Sequence, residues 1–126
     1  MMEAETIISE TKVEKNENDL VISLAERLDF LDIQILRKFY MTGKEFPNDT
    51  QPYCFPILFR EMMVNHHLKI GIEALRKRLL SLVRTDLLVK IKHSNPTSYS
   101  PADGKEKFVR AVILRFFVVN GLTKFL

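Results

Sequence analysis

Tryptophan is absent from this sequence, and cysteine, glycine and proline are scarce, with one, four and five residues respectively. So little glycine and proline excludes collagen-like and low-complexity chains, and it argues against an all-β domain with many turns. The single cysteine, Cys54, cannot form an internal disulfide, so we expect a reducing, cytoplasmic environment. No apolar run reaches about 18 residues, which predicts no transmembrane helix. The acidic N-terminus is not typical of a signal peptide.

Charge is distributed unevenly along the chain. Apolar residues make up 46% of the 126 residues and charged residues 28%, which is typical of one soluble globular domain. The net charge is only +3, but residues 1–32 carry −6 and residues 33–126 carry +9. Residues 66–100 contain seven basic and two acidic side chains. Clustered Lys and Arg are typical of a surface that binds a polyanion, although an ordinary solvated face has the same composition.

The hydrophobic pattern predicts a mainly α protein with a small β-hairpin, of the α+β class. We expect an acidic, flexible N-terminal arm over residues 1–18 and one domain over residues 19–126. The expected helices cover residues 20–28, 30–40, 56–67, 71–84 and 104–120, with short extended segments at 53–55, 87–92 and 98–100. Capping boxes are predicted at Asp29 with Asp32 and at Asp103 with Glu106. The pattern also predicts a narrow core-facing stripe of Ile72, Leu75, Leu79 and Leu82. In the strand that follows, Leu87, Val89 and Ile91 are predicted to point one way and Lys90 and Lys92 the other.

The last predicted helix is apolar on nearly all sides. Ten of the twelve residues from Phe108 to Val119 are apolar, interrupted only by Arg110 and Arg115. A domain of this size has little interior in which to enclose a terminal helix, so one face is expected to meet a second subunit. Burial within a single domain is the alternative. The residues predicted to form the homodimer interface are Phe108, Val112, Ile113, Phe116 and Phe117.

The order of these elements resembles the winged helix-turn-helix family of DNA-binding proteins. The resemblance covers residues 29–120, about three quarters of the chain, and rests mostly on residues 70–101, IGIEALRKRLLSLVRTDLLVKIKHSNPTSYSP. This stretch looks like the recognition helix of the family followed by its wing hairpin, and small prokaryotic, including archaeal, transcription regulators are the most similar group. The family usually has glycine where this chain has Asp86, and aspartate tolerates the left-handed conformation that this position requires.

The resemblance implies a homodimeric transcription regulator that binds double-stranded DNA. Recognition helix 71–84 would enter the major groove, and wing 88–100 would lie on the backbone or in the minor groove. The DNA-binding residues implied on and before the helix are Lys69, Glu73, Lys77, Arg78, Ser81 and Arg84. Those implied on the wing are Lys90, Lys92, His93 and Asn95. Arg76, near the core margin, is expected to pair with Asp29, Asp32 or Glu61. The alternative function is a winged-helix module that binds protein in a transcription or chromosome-organising assembly.

Other chemistry finds little support in the sequence. Adjacent His66 and His67 would point about 100° apart on a helix and would not chelate one ion together, so no metal site is predicted. The chain has no glycine-rich phosphate loop and no nucleophile elbow, which argues against an enzyme. We therefore expect no cofactor, no catalytic residue and no small-molecule ligand.

Overall fold

The computed structural model describes residues 17–41, 50–64 and 69–125. Within these ranges the chain forms helices α1 (residues 17–27), α2 (Phe30–Tyr40), α3 (Phe55–Val64), α4 (Ile72–Arg84) and α5 (Glu106–Val119), strands β1 (Tyr53–Cys54), β2 (Leu88–Ile91) and β3 (Ser98–Pro101), and a final 3₁₀ turn, Thr123–Phe125. The predicted mainly α protein with a small antiparallel sheet is therefore confirmed. The predicted arm lies outside the described residues except for residues 17 and 18, which are helical, and the His66–His67 pair also lies outside them.

The capping box predicted at the start of α2 is present. The Asp32 N–H donates to Asp29 Oδ1 at 2.9 Å, and the Asp29 N–H donates to Asp32 Oδ2 at 3.2 Å. These bonds satisfy two backbone donors that the first turn of a helix otherwise leaves unpaired. The two carboxylates are therefore held side by side at the surface where α2 begins.

The strands form one antiparallel sheet in the order β1-β3-β2. Strands β2 and β3 make the predicted hairpin, with Lys90 opposite Tyr99. The short β1 pairs with the other edge of β3, and the Phe55 N–H donates to the Thr97 carbonyl at 2.8 Å. The start of α3 is thereby attached to the turn end of the hairpin, where β3 begins.

Helix α2 lies at the centre of the hydrophobic core. Its Ile33, Ile35 and Leu36 are fully buried, because the helix is covered on more than one side. Helix α5 packs along α2, and α4 contributes a narrow stripe of Leu75, Leu79 and Leu82 to the same core. This narrow stripe leaves most of the α4 surface outside the core.

Tyr40, at the end of α2, connects three distant parts of the chain. Its hydroxyl donates to the Leu87 carbonyl at 2.6 Å and accepts from the Ala102 N–H at 2.8 Å, and its side chain is fully buried. Leu87 immediately precedes β2, and Ala102 immediately follows β3. One phenol therefore holds both ends of the hairpin against α2.

One prediction about which side chains face the core is wrong. Ile72 is 46% exposed because it lies in the first turn of α4, beyond the edge of the core. Val89 and Ile91, predicted on the same side of their strand as Leu87, are also exposed, whereas Leu87 is buried. The far end of β2, an edge strand of the sheet, is therefore open to solvent on that side.

The capping box predicted before α5 is also wrong. Helix α5 begins at Glu106 with Lys105 as its N-cap, and no side chain caps it. Asp103 lies instead in a turn that Gly104 makes at φ 76° and that the Lys105 N–H closes on the Ala102 carbonyl. This turn shifts the start of the helix two residues beyond the predicted position.

The residues predicted to form a homodimer interface need correction. Val112, Ile113, Phe116 and Phe117 are buried within the chain, and Phe108 is half-buried against the core. Their side chains face inward because α5 packs along α2, with the Phe116 ring 6.4 Å from that of Phe30. These four side chains therefore have almost no surface left for a partner, while dimerisation itself stays a prediction.

Candidate nucleic-acid interface

The outward face of α4 is as predicted from its helical spacing. Glu73, Ala74, Lys77, Ser81 and Arg84 are all exposed. Lys69, two residues before the Gly71 N-cap, is exposed as well. Glu73 lies in the first turn, where a carboxylate favours the positive end of the helix dipole. The face presents Lys77 and Arg84 about two turns apart, with Ser81 between them and small Ala74 one turn before Lys77.

The hairpin adds a second set of exposed polar side chains. Lys90, Lys92, His93 and Asn95 are exposed along β2 and the turn that follows it. Asp86 adopts φ 60°, the left-handed conformation expected of it, and so ends α4 and redirects the chain into β2. We call the exposed side chains of α4 and the hairpin, together with Lys69, the basic surface.

Arg78, and not Arg76, makes the ion pairs with Asp29 and Asp32 that were expected of Arg76. Arg78 pairs with Asp29 and, at 3.2 Å, with Asp32, so this predicted DNA contact is engaged with the start of α2. Arg76 pairs with Glu73 at 3.0 Å on its own helix and lies 4.9 Å over the Phe55 ring. Glu61, the third partner expected for Arg76, pairs with Lys38 at 3.1 Å. Of the predicted helix cations, Arg78 is thus the least available to a ligand.

The pKa values of the two carboxylates beside Arg78 move in opposite directions. Burial raises the pKa of Asp29, but the Asp32 N–H and the Arg78 guanidinium outweigh burial and leave that pKa below its ordinary value. Burial is stronger at Asp32 and raises its pKa above the ordinary value, although Arg78 partly opposes the change. The same contacts, chiefly the hydrogen bond to Asp29, raise the pKa of Arg78, which stays charged. The trio anchors α4 to α2 through fixed charges.

The remaining cations of the basic surface have no such partners. Among the described residues, none forms an ion pair with Lys69, Lys77, Arg84, Lys90 or Lys92. The only acids on the basic surface are Glu73, which Arg76 occupies, and Asp86. Unpaired cations outnumber free carboxylates on this surface, and it therefore attracts anions.

A groove of about 500 Å³ separates α4 from the hairpin. Arg76 and Leu80 line it from α4, and Lys90, Asn95 and Tyr99 line it from the hairpin. Burial raises the pKa of Tyr99, so its phenol is neutral and available as a hydrogen-bond donor near the groove. The groove gives the basic surface a concave centre, with Arg76 on one side of it and Lys90 on the other.

The sequence did not predict the positions that Arg76, Leu80 and Tyr40 take in this region. Leu80 and Arg76 belong to the groove because the hairpin lies over their side of α4, and helical spacing alone does not reveal that placement. Tyr40 positions the hairpin through partners 47 and 62 residues away. The only sequence signal for Tyr40 is a polar atom at the end of an otherwise apolar stripe.

The structure also bears on a metal site and on a membrane span. Within the described ranges, no group of three or more His, Cys, Asp or Glu side chains has the arrangement of a metal site. In the same ranges, no helix has both the length and the apolar character needed to cross a membrane.

Comparison of the chain with protein-family models, with curated proteins and with solved structures found no match. The function proposed below is therefore based on the residues and geometry of this chain.

Proposed function

We propose that the protein is a homodimeric transcription regulator that binds double-stranded DNA through the basic surface. Helix α4 is the recognition helix and enters the major groove, where Lys77 and Arg84 donate to base edges and Ser81 adds a third contact. The hairpin is a wing, and Lys90 and Lys92 neutralise phosphates beside the groove.

The observation that carries this proposal is the contrast among the cations of α4. Arg78, which faces the body of the domain, is satisfied by two carboxylates. Lys77 and Arg84 face away from the body and have no ion-pair partner in the described part of the chain. A helix that exposes unpaired cations beside a projecting basic hairpin matches the shape and charge of a DNA duplex.

The order of elements supports the same interpretation. The order α2, β1, α3, α4, β2, β3, with β3 between β1 and β2, resembles the arrangement of a winged helix-turn-helix domain. Asp86 in the left-handed conformation takes the place of the glycine that is usual in that family.

A salt titration of duplex binding tests the proposal. Each neutralised phosphate contributes about 0.9 to the slope of log affinity against log salt. We expect steep salt dependence, and a Lys90→Ala/Lys92→Ala double variant should lower the slope by roughly two per protomer. Lys124→Ala in the final 3₁₀ turn, exposed and far from α4 in the sequence, is the matched control and should leave the slope almost unchanged. No duplex binding at low salt would refute the proposal.

A protein-binding module is the second candidate, because the basic surface also exposes apolar side chains. Leu80 is 48% exposed and Val89 is 45% exposed, whereas a surface used only for phosphates has no need of either. A protein partner would bury both. The Leu80→Ser and Val89→Ser variants should then lose partner binding, whereas a DNA-binding surface should lose little affinity for duplex DNA.

A further inference from the structure

The solvent side of α5 carries an apolar stripe opposite the core. Ala111, Leu114 and Val118 recur at intervals of three and four residues, so they lie on one face of the helix. Leu114 is 43% exposed and Val118 is 60% exposed. The small side chain of Ala111, one turn before Leu114, allows another helix to approach closely. This is the spacing with which two helices interlock along a seam.

Helix α1 lies beside this stripe and extends the apolar area. Two hollows, of about 550 and 340 Å³, lie one after the other between α1 and α5. Leu20, Phe108 and Ala111 line the first, and Ile22, Phe116 and Val119 line the second. We call the two hollows and the neighbouring stripe the α1–α5 face.

Charges of opposite sign border the α1–α5 face on its two sides. At the first hollow, α1 places Glu17 opposite Lys107 of α5, and at the second it places Glu26 opposite Arg115. Within the described residues, none of these four side chains forms an ion pair. The first hollow lies between the beginnings of α1 and α5, and the second lies between their ends. The two helices therefore run in the same direction.

We infer that a second copy of this chain docks on the α1–α5 face. A two-fold axis parallel to α1 and α5 places α1 of each copy over α5 of the other. Glu17 then meets the partner's Lys107, and Glu26 meets the partner's Arg115, at both ends of the face. An axis perpendicular to the helices would instead bring acids against acids and bases against bases. The α1–α5 face is therefore self-complementary in one orientation, and the two apolar stripes are buried between four ion pairs.

This inference rests on the homodimer proposed above, but it does not require DNA. Light scattering should therefore find a dimer of the wild-type chain without DNA, and Leu114→Glu should convert it to a monomer. Ile57→Glu on α3 is the matched control, because Ile57 is also 43% exposed but lies outside the α1–α5 face. Ile57→Glu should stay dimeric. Thermal unfolding of both variants checks that the mass reports association of folded chains.

Charge reversal tests the orientation. The Glu26→Lys and Arg115→Glu variants should each associate at least tenfold more weakly, because like charges then oppose each other twice in each homodimer. A mixture of the two variants restores both opposite pairs and should form a heterodimer, which native mass spectrometry detects. An ion pair within one chain would not be restored by mixing.

Three results would overturn the inference. They are a wild-type chain that is monomeric at every concentration measured, a Leu114→Glu variant that remains dimeric, and a mixture of the charge-reversed variants that forms no heterodimer. Because every measurement is made without DNA, failure here is separate from failure of duplex binding.

Discussion

At the scale of single residues, Tyr40 joins α2 to both strands of the hairpin through one hydroxyl group. Its hydroxyl accepts from the buried Ala102 N–H, which follows β3, and donates to the Leu87 carbonyl, which precedes β2, both at the open end of the hairpin. Burial raises the pKa of this phenol above its ordinary value, so the hydroxyl keeps the proton that it donates at neutral pH. The placement of the hairpin relative to α4 thus depends on one atom of α2.

The Tyr40→Phe variant should lower the free energy of unfolding by about 1–3 kcal/mol, because it leaves the Leu87 carbonyl and the Ala102 N–H without this partner. Chemical denaturation measures the change. Tyr53→Phe is the control, since Tyr53 is also largely buried but bridges no such pair of backbone groups among the described residues. An unchanged midpoint for Tyr40→Phe would contradict the role assigned to the hydroxyl.

Asp29 gives a residue-scale prediction about pH. Its pKa lies below 3.8 in the folded chain, so its ionised form stabilises the fold above pH 3.8 and this contribution is lost as the pH falls through the folded-state value. Asp32 acts in the opposite sense, because its raised pKa makes protonation favourable to folding. The charge on Asp29 is therefore the one that acid removes at a cost to stability.

The Asp29→Asn variant should be less stable at neutral pH by roughly 0.5 kcal/mol, the scale of a half-exposed ion pair, while asparagine preserves the helix cap. The difference from wild type should shrink as the pH falls below 3.8, where the wild-type carboxylate also loses its charge. Thermal unfolding across this range measures the effect. Asp19→Asn, exposed on α1, serves as the control. A difference that grows toward acid would reverse the assigned sign.

At the scale of elements, the proposed DNA complex assigns different contacts to α4 and to the hairpin. Side chains of α4 reach base edges in the proposed complex, whereas those of the hairpin reach phosphates, which are the same in every sequence. Affinity and specificity should therefore separate between the two elements.

The Lys77→Ala and Arg84→Ala variants should each reduce discrimination between the preferred and random duplexes, by about 1–3 kcal/mol for a lost base contact. The Lys90→Ala and Lys92→Ala variants should weaken binding to all duplexes alike. Competition binding with both kinds of duplex measures the two effects. Equal losses on both duplexes for all four variants would contradict a reading role for α4.

Periodicity accounts for most of what the sequence predicted correctly at this scale. The stripe of Leu75, Leu79 and Leu82 placed α4, and the outward residues followed from it. Local capping chemistry predicted the start of α2, because Asp29 and Asp32 act on each other within one turn. Interactions of this range are readable along the chain.

Contacts between distant segments account for what the sequence did not predict. Arg78 and Asp29 are 49 residues apart, and helical spacing alone did not show which arginine of α4 reaches Asp29 when α4 packs on α2. Alternation in β2 placed Val89 and Ile91 together but did not reveal that no element covers them among the described residues. In α5, an apolar composition on all sides hid which face turns inward.

At the scale of the whole molecule, the basic surface and the α1–α5 face are built on different elements. Helix α4 and the hairpin form the first, and α1 and α5 form the second. Core helix α2 links them, since it packs along α5 and holds α4 through Arg78. The proposed dimerisation would therefore leave the proposed recognition helices free and present two of them related by a two-fold axis.

The symmetry of the dimer should appear in the DNA that it selects. Two recognition helices that read successive major-groove faces require half-sites about 34 Å apart, or roughly 10 base pairs, arranged as an inverted repeat. Selection from a random duplex pool with the wild-type chain should therefore yield inverted repeats with that spacing. The Leu114→Glu variant keeps its basic surface and should yield single half-sites with the same base preferences. Ile57→Glu, its matched control, should still select the paired sites. Direct repeats, or paired sites from the Leu114→Glu variant, would show that the α1–α5 face does not set the spacing of the recognition helices.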